Sequence, residues 1–443
     1  MRISTLILLL FFSNCGFADI EASQCEEPIA FEPEEFMPDR YETDLYRIQS
    51  PIQSNGYLNT YVIETEFGDF EAIGDSLLNI RLKEVDALDQ LRSVSRTKVF
   101  AQALVDAGLS PVNTIIDFSQ KPVATLQGIP KGIGNMFTRY VHKTSEGVKS
   151  VQKGVSKASE SLKGGSEEQE VEDGGSSDDS SNKKGTSERV VTGGVQLTER
   201  YFKVSRAERA WHAEFGTDPY TSNEILQSAI KKVAWADRLG RFGLKLTGGL
   251  AIAGADIIGD TYDLVWSKDP YALQDHNRAV LEASGADKEL IEQFLDDSSL
   301  SPSLQTVLIG ALEELDGVKG RDRVLEQSLL VTNEVDGQLF LETLLNLVWI
   351  NENRVSLDRL AGDAPLPVGI DSAGHVYAPL PSDFLYWTCA TAEVMAGYDQ
   401  VVDSGSNKTL LLAGGLSELA DESLGRKGWS VEVNSRKLVS DKD

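Results

Sequence analysis

The sequence predicts a mixed α+β protein that is mostly helical. Three observations carry this: long stretches with apolar residues three and four apart, clusters of β-branched and aromatic residues next to glycine turns near both ends, and a Gly/Ser/acidic run without apolar periodicity. The resulting order is an N-terminal β-hairpin plus helices, a flexible linker, a helical bundle and a small C-terminal α/β domain.

Residues 1–18 have the form of a secretory signal. Arg2 supplies the charged start, and the apolar run at residues 6–12 is far shorter than the ~20 residues a membrane span needs. Gly16 and Ala18 are the small residues that cleavage before Asp19 requires. Lipid attachment at Cys15 is the less favoured route, because Phe12 and Asn14 do not suit it. The expected location is periplasmic or secreted.

Residues 19–44 are acidic and broken by Pro28, Pro33 and Pro38, which predicts an extended, disordered arm. Within 45–127, residues 57–63 read as a strand that Gly68-Asp69 turns back into residues 70–73. Leu77, Leu78, Ile80, Leu82, Val85, Leu88 and Leu91 then keep helical spacing, and Ser95 is placed to cap a next helix bearing Val99, Phe100 and Leu104.

Residues 128–163 predict a basic amphipathic helix. Between 121 and 163, eight Lys or Arg stand against two Glu, a local charge of +6, beside an apolar stripe that includes Phe137, Val148 and Val151. Lys131, Arg139, Lys143, Lys149, Lys153 and Lys157 form its polar face. With the three apolar residues they are the candidate contacts for an anionic membrane surface or an envelope protein. Docking on the protein's own acidic body is the competing reading. Residues 164–188 are the linker, dividing the chain into two halves.

Residues 189–362 read as a helical bundle. One helix opens at Thr221 or Ser222, another at the Ser301-Pro302 cap with a stripe from Leu304 to Leu315, and a third carries Val335, Leu339, Phe340, Leu344 and Leu347. In 363–443, residues 368–370 and 375–377 flank the turn Asp371-Ser372-Ala373-Gly374. A helix at 382–398, a strand at 409–412, a helix at 417–424 and a strand at 429–433 follow. This β-β-α-β-α-β order predicts an α/β domain.

The chemistry is sparse. Forty-two Lys and Arg against 69 Asp and Glu give a net charge of −27, which argues against a nucleic-acid partner. Of three Cys, Cys25 and Cys389 form a candidate disulfide in an oxidising compartment, two unpaired thiols being the alternative. His142, His212, His276 and His375 are too scattered for metal spacing, and no cofactor motif is present. Ser150 and Lys153 match S-x-x-K without its supporting elements. Three weaker candidates are a Cys389–His375 pair, a cation site at Asp256, Asp260 and Asp263, and an anion seat at the strand-to-helix junction of residues 412–417.

Several segments taken together resemble a family of exported bacterial proteins with no agreed activity. They are Gly68-Asp69-Phe70-Glu71-Ala72-Ile73-Gly74, Ser95-Arg96-Thr97-Lys98-Val99-Phe100-Ala101, Asp218-Pro219-Tyr220-Thr221-Ser222-Asn223, Trp235-Ala236-Asp237-Arg238-Leu239-Gly240, Val265-Trp266-Ser267-Lys268-Asp269-Pro270 and Gly428-Trp429. The resemblance implies export and transfers no site. The functional expectation is a non-catalytic envelope protein that binds or scaffolds at a membrane surface or with a partner protein. The alternative is an envelope hydrolase or transferase with a carboxylate-based site near the C-terminal α/β domain.

Overall fold

The computed structural model describes residues 25–98, 102, 203–236, 259–402 and 405–433. Residues 1–18, read above as a signal, 128–163, read as a basic helix, and 164–188, read as a linker, lie outside the described residues. The fold is α+β and mostly helical.

A short helix α1 (Pro33–Phe36) precedes four strands: β1 (Tyr46–Ile48), β2 (Gln53–Ser54), β3 (Asn59–Thr65) and β4 (Gly68–Ile73). β3 is the centre of this sheet, pairing antiparallel with β4 along its length and with β1 and β2 at its two ends. Alternate residues Asn59, Tyr61, Ile63 and Thr65 are buried, the period of a strand with one core face. The hairpin turn falls at Glu66 and Phe67 rather than at Gly68-Asp69, since Gly68 already pairs with Thr65. The Thr65 hydroxyl fixes the turn by accepting from the Phe67 N–H at 3.0 Å.

Helix α2 (Asp75–Ser95) buries Leu77, Leu78, Val85, Leu88 and Leu91. It runs through Ser95, which therefore closes α2 instead of capping the next helix. Its hydroxyl donates to the Arg92 carbonyl at 2.7 Å, so it serves the last turn of its own helix.

The helical part comprises α3 (Arg206–Phe215), α4 (Glu224–Ala236), α5 (Gly259–Ser267), α6 (Pro270–Ala283), α7 (Lys288–Leu295), α8 (Pro302–Glu314), α9 (Arg321–Ser328) and α10 (Glu334–Asn353). Helix α4 begins after Asn223, whose side chain accepts from the Leu226 N–H; Thr221 and Ser222 are engaged elsewhere. Ser301 caps α8 with Pro302 at its first turn, as the sequence predicts. Helices α8 and α10 are buried on almost every side and form the centre of the larger core.

Strands β5 (Leu357–Ala361), β6 (Val368–Asp371) and β7 (Val376–Leu380) lead into β8 (Phe384–Leu385) and α11 (Cys389–Val401). After these come β9 (Lys408–Leu412), β10 (Gly415–Leu416), α12 (Glu418–Arg426) and β11 (Trp429–Glu432). The sheet order is β11-β9-β7-β6-β5, with β7, β9 and β11 mutually parallel and β5 and β6 antiparallel. The β-β-α-β-α-β order expected for residues 363–443 is present in this sheet, with the short strands β8 and β10 added as a separate parallel pair and with two adjustments of bounds. β5 lies inside the range read as helical, where pairing with β6 and burial of Leu357 and Leu360 override local signals. Helix α11 starts at its Thr388 cap rather than at residue 382, because residues 382–387 bond to other segments.

Two expectations about separateness are corrected. From Cys25 onward the acidic arm is folded against the body: Phe31 pairs with Ile52, and Met37 is 6% exposed. The two halves are also not independent, because one core unites Ile48, Ile63, Leu78 and Leu88 with Trp211, Leu226, Ile230 and Val233.

Candidate functional site

Three places gather chemistry. The first is the mouth of the parallel strands, where an α/β domain ordinarily receives a ligand. Its two strand-to-helix loops are filled by the protein's own chain. The Asp383 carboxylate accepts from the Asn59 N–H at 2.8 Å and the Asp75 N–H at 3.0 Å. The Asp383 and Tyr386 N–H groups donate to the carbonyls of Tyr57 and Gly56. Tyr61 donates to Asp75, and burial, then the nearby Asp383 and Asp75 carboxylates, pushes its phenol far above the usual range.

The glycines of the 412–417 junction serve close packing. A Cβ on Gly414 would stand 1.8 Å from the Asp383 carbonyl oxygen. The backbone N–H groups of Ala413, Gly414 and Ser417 bond to the carbonyls of Leu380, Ser382 and Leu385. An anionic group does sit at this junction, and it is internal: Glu26 Oε1 accepts from the Ser417 hydroxyl and from the Trp387 N–H at 2.6 Å. Cys25 and Cys389 are joined beside it, their Cα atoms 5.3 Å apart. That bond removes Cys389 as a thiol partner for His375, whose Nε2 lies 2.8 Å from the Thr409 hydroxyl while its ring stacks on Tyr377.

The second place is a buried polar joint between α2 and the helical part. The Arg81 guanidinium, 7% exposed, donates to Glu84 at 2.9 Å, Glu334 at 2.7 Å and the Ser222 hydroxyl at 2.6 Å. Burial opposes its charge, but Glu334 and Glu84 hold its pKa above the ordinary value. Thr221 donates to Glu84, and Asn223 Nδ2 donates to it at 2.9 Å. Nearby, Asp218 accepts from the Ser303 hydroxyl and the Tyr220 N–H, while burial pushes its carboxyl up to about 6. These groups satisfy one another, the pattern of a structural network. His212 is buried against the Thr217 hydroxyl at 2.9 Å, and burial lowers its pKa to about 3.

The third place is an open groove of about 750 Å³ between α6, α7, α8 and α9. Leu281, Leu290, Ile309, Leu312, Val318 and Leu325 form its floor, and Asp287, Glu289, Glu313, Lys319, Arg321 and Arg323 stand around it. Lys319 pairs with Asp358 at 2.9 Å and Arg321 with Asp316 at 2.7 Å, both at the solvent-exposed rim. The sequence does not reveal this groove, because its walls come from four helices and each contributes only a few residues that locally read as ordinary core.

Among the described residues no group of His, Cys, Asp or Glu is arranged to hold a metal ion, and no helix is long and apolar enough to cross a membrane. Asp263 is exposed, as a solvated helix face requires. The candidate contacts Lys131, Phe137, Arg139, Lys143, Val148, Lys149, Val151, Lys153 and Lys157 lie outside the described residues, as do His142, Ser150 and Asp256. No protein-family model, curated protein or solved structure matches the chain.

Proposed function

We propose that this is an exported, non-catalytic protein of the bacterial envelope that holds a partner polypeptide in the groove between α6, α7, α8 and α9. One observation carries the reading: an apolar floor framed by charges of both signs, which is the make-up of a protein interface with a desolvated centre and a polar rim. Its volume lies within the range of binding clefts. The Cys25–Cys389 bond supports the exported part of the proposal, since such bonds persist in oxidising compartments. The enzymatic alternative gains no support at the strand ends, where the protein's own chain fills the crevice.

A photo-crosslinking side chain at the exposed Ser284, on the groove rim, tests this in envelope fractions. A discrete polypeptide adduct is expected, and Leu290→Asp should abolish it while the variant keeps the wild-type circular dichroism, with some loss of melting temperature because Leu290 packs partly on the core. An adduct indifferent to Leu290→Asp, or none, removes the groove as the partner site. In this reading the basic segment brings the assembly to an anionic lipid surface, so anionic vesicles should bind the full chain and raised salt should release it.

A further inference from the structure

We infer that residues 25–30 are a disulfide-latched surrogate ligand, seated on a site that receives an acidic peptide at the carboxyl ends of β8 and β10. The strap lies on the surface: none of its residues is buried, and Ile29 is 67% exposed. Its non-covalent hold is centred on Glu26, with a further hydrogen bond between the Ile29 backbone and the Tyr386 side chain. The Glu26 N–H donates to the Trp387 carbonyl at 3.0 Å, and its carboxylate accepts from the Trp387 N–H and the Ser417 hydroxyl. This is one backbone bond plus a carboxylate held by two donors, the grip an extended acidic peptide would make from another molecule.

The seat suits an anion for reasons independent of the strap. Ser417 caps α12, and Trp387 immediately precedes Thr388, which caps α11. Two helix starts thus converge on the Glu26 carboxylate, where aligned peptide dipoles favour negative charge. They do so beyond the carboxyl ends of the parallel pair β8 and β10. The same loop carries the Ser382 hydroxyl, 0% exposed and without a hydrogen-bond partner.

The covalent bond between Cys25 and Cys389 keeps the strap seated. Without it, the three hydrogen bonds at Glu26 and the one between Ile29 and Tyr386 must offset the ordering of six unburied residues, a balance that favours release. A dithiol supplies the two electrons and two protons: the S–S bond breaks to two thiols, and the dithiol closes to its own disulfide. The arm then remains anchored from Phe31, which pairs with Ile52, while residues 25–30 leave the seat. The two main cores contain neither cysteine, so opening the bond removes no core packing.

The full-length protein tests this with a fluorescein-labelled peptide of residues 24–31 carrying Cys25→Ser. Dithiothreitol-reduced protein should bind it at least tenfold more tightly than oxidised protein. The same peptide with Glu26→Gln should lose that binding, and reduction should raise hydrogen exchange at the Trp387 amide. Unchanged exchange at Trp387 with no peptide binding would mean that the strap stays seated on its own, and the inference fails. It fails equally if reduction unfolds the body by circular dichroism, or if the Glu26→Gln peptide binds as well as the parent.

Discussion

Two buried titratable side chains, Asp218 and His212, set opposing responses to acid. Burial raises the Asp218 carboxyl from 3.8 to about 6, so the folded state takes up its proton more readily than the unfolded chain. Lowering pH through that interval therefore adds stability, at most about 1.4 kcal/mol per pH unit. Burial lowers His212 from 6.5 to about 3, so acidification below 6.5 removes stability with the same limiting slope. The two effects cancel between about pH 6 and pH 4. Asp218→Asn leaves His212 uncompensated, so the variant's urea midpoint should fall more steeply over that range than the wild type's. A variant as level as the wild type would show that Asp218 does not titrate there. Gly414 belongs to the same scale: with no room before the Asp383 carbonyl, Gly414→Ala should cost roughly 2 kcal/mol or more by thermal denaturation.

At the scale of elements, α2 is held to the helical part by both an apolar stripe and the Arg81 network. Arg81→Met removes the one guanidinium that Glu84 and Glu334 share. Breaking a buried pair from one side leaves an uncompensated charge, a loss of roughly 3–5 kcal/mol that chemical denaturation should register. Glu84→Gln together with Arg81→Met should recover part of it, because the buried charge goes with its partner; a double variant no better than the single one contradicts the pairing. The hydrophobic stripe of α2 was legible as sequence periodicity. Its polar partners were not, because Ser222, Asn223 and Glu334 lie more than a hundred residues downstream of Arg81.

At the scale of the molecule, the shared core predicts a single cooperative unit. All six Trp lie after the linker, so their fluorescence reports the second half, while circular dichroism reports the whole chain. Trp211 nevertheless packs in the core that contains Ile48, Leu78 and Leu88. Denaturation curves from the two probes should superimpose. A separate, earlier fluorescence transition would mean that the halves unfold independently, as the composition of the linker alone suggests.

The sequence by itself determined what depends on near neighbours: the α+β class, the hairpin before α2, the Ser301-Pro302 cap and the strand-helix alternation of the last eighty residues. Those features follow from apolar period and capping chemistry within a few residues. Only the tertiary structure decided what depends on distant contacts. It drew residues 357–361 into a strand by pairing them with β6, and it closed one core from both halves. It also joined Cys25 to a cysteine 364 positions away and set Glu26 on the starts of two helices. No local pattern encodes such pairings, because their energy is realised only once the folded chain brings the partners together.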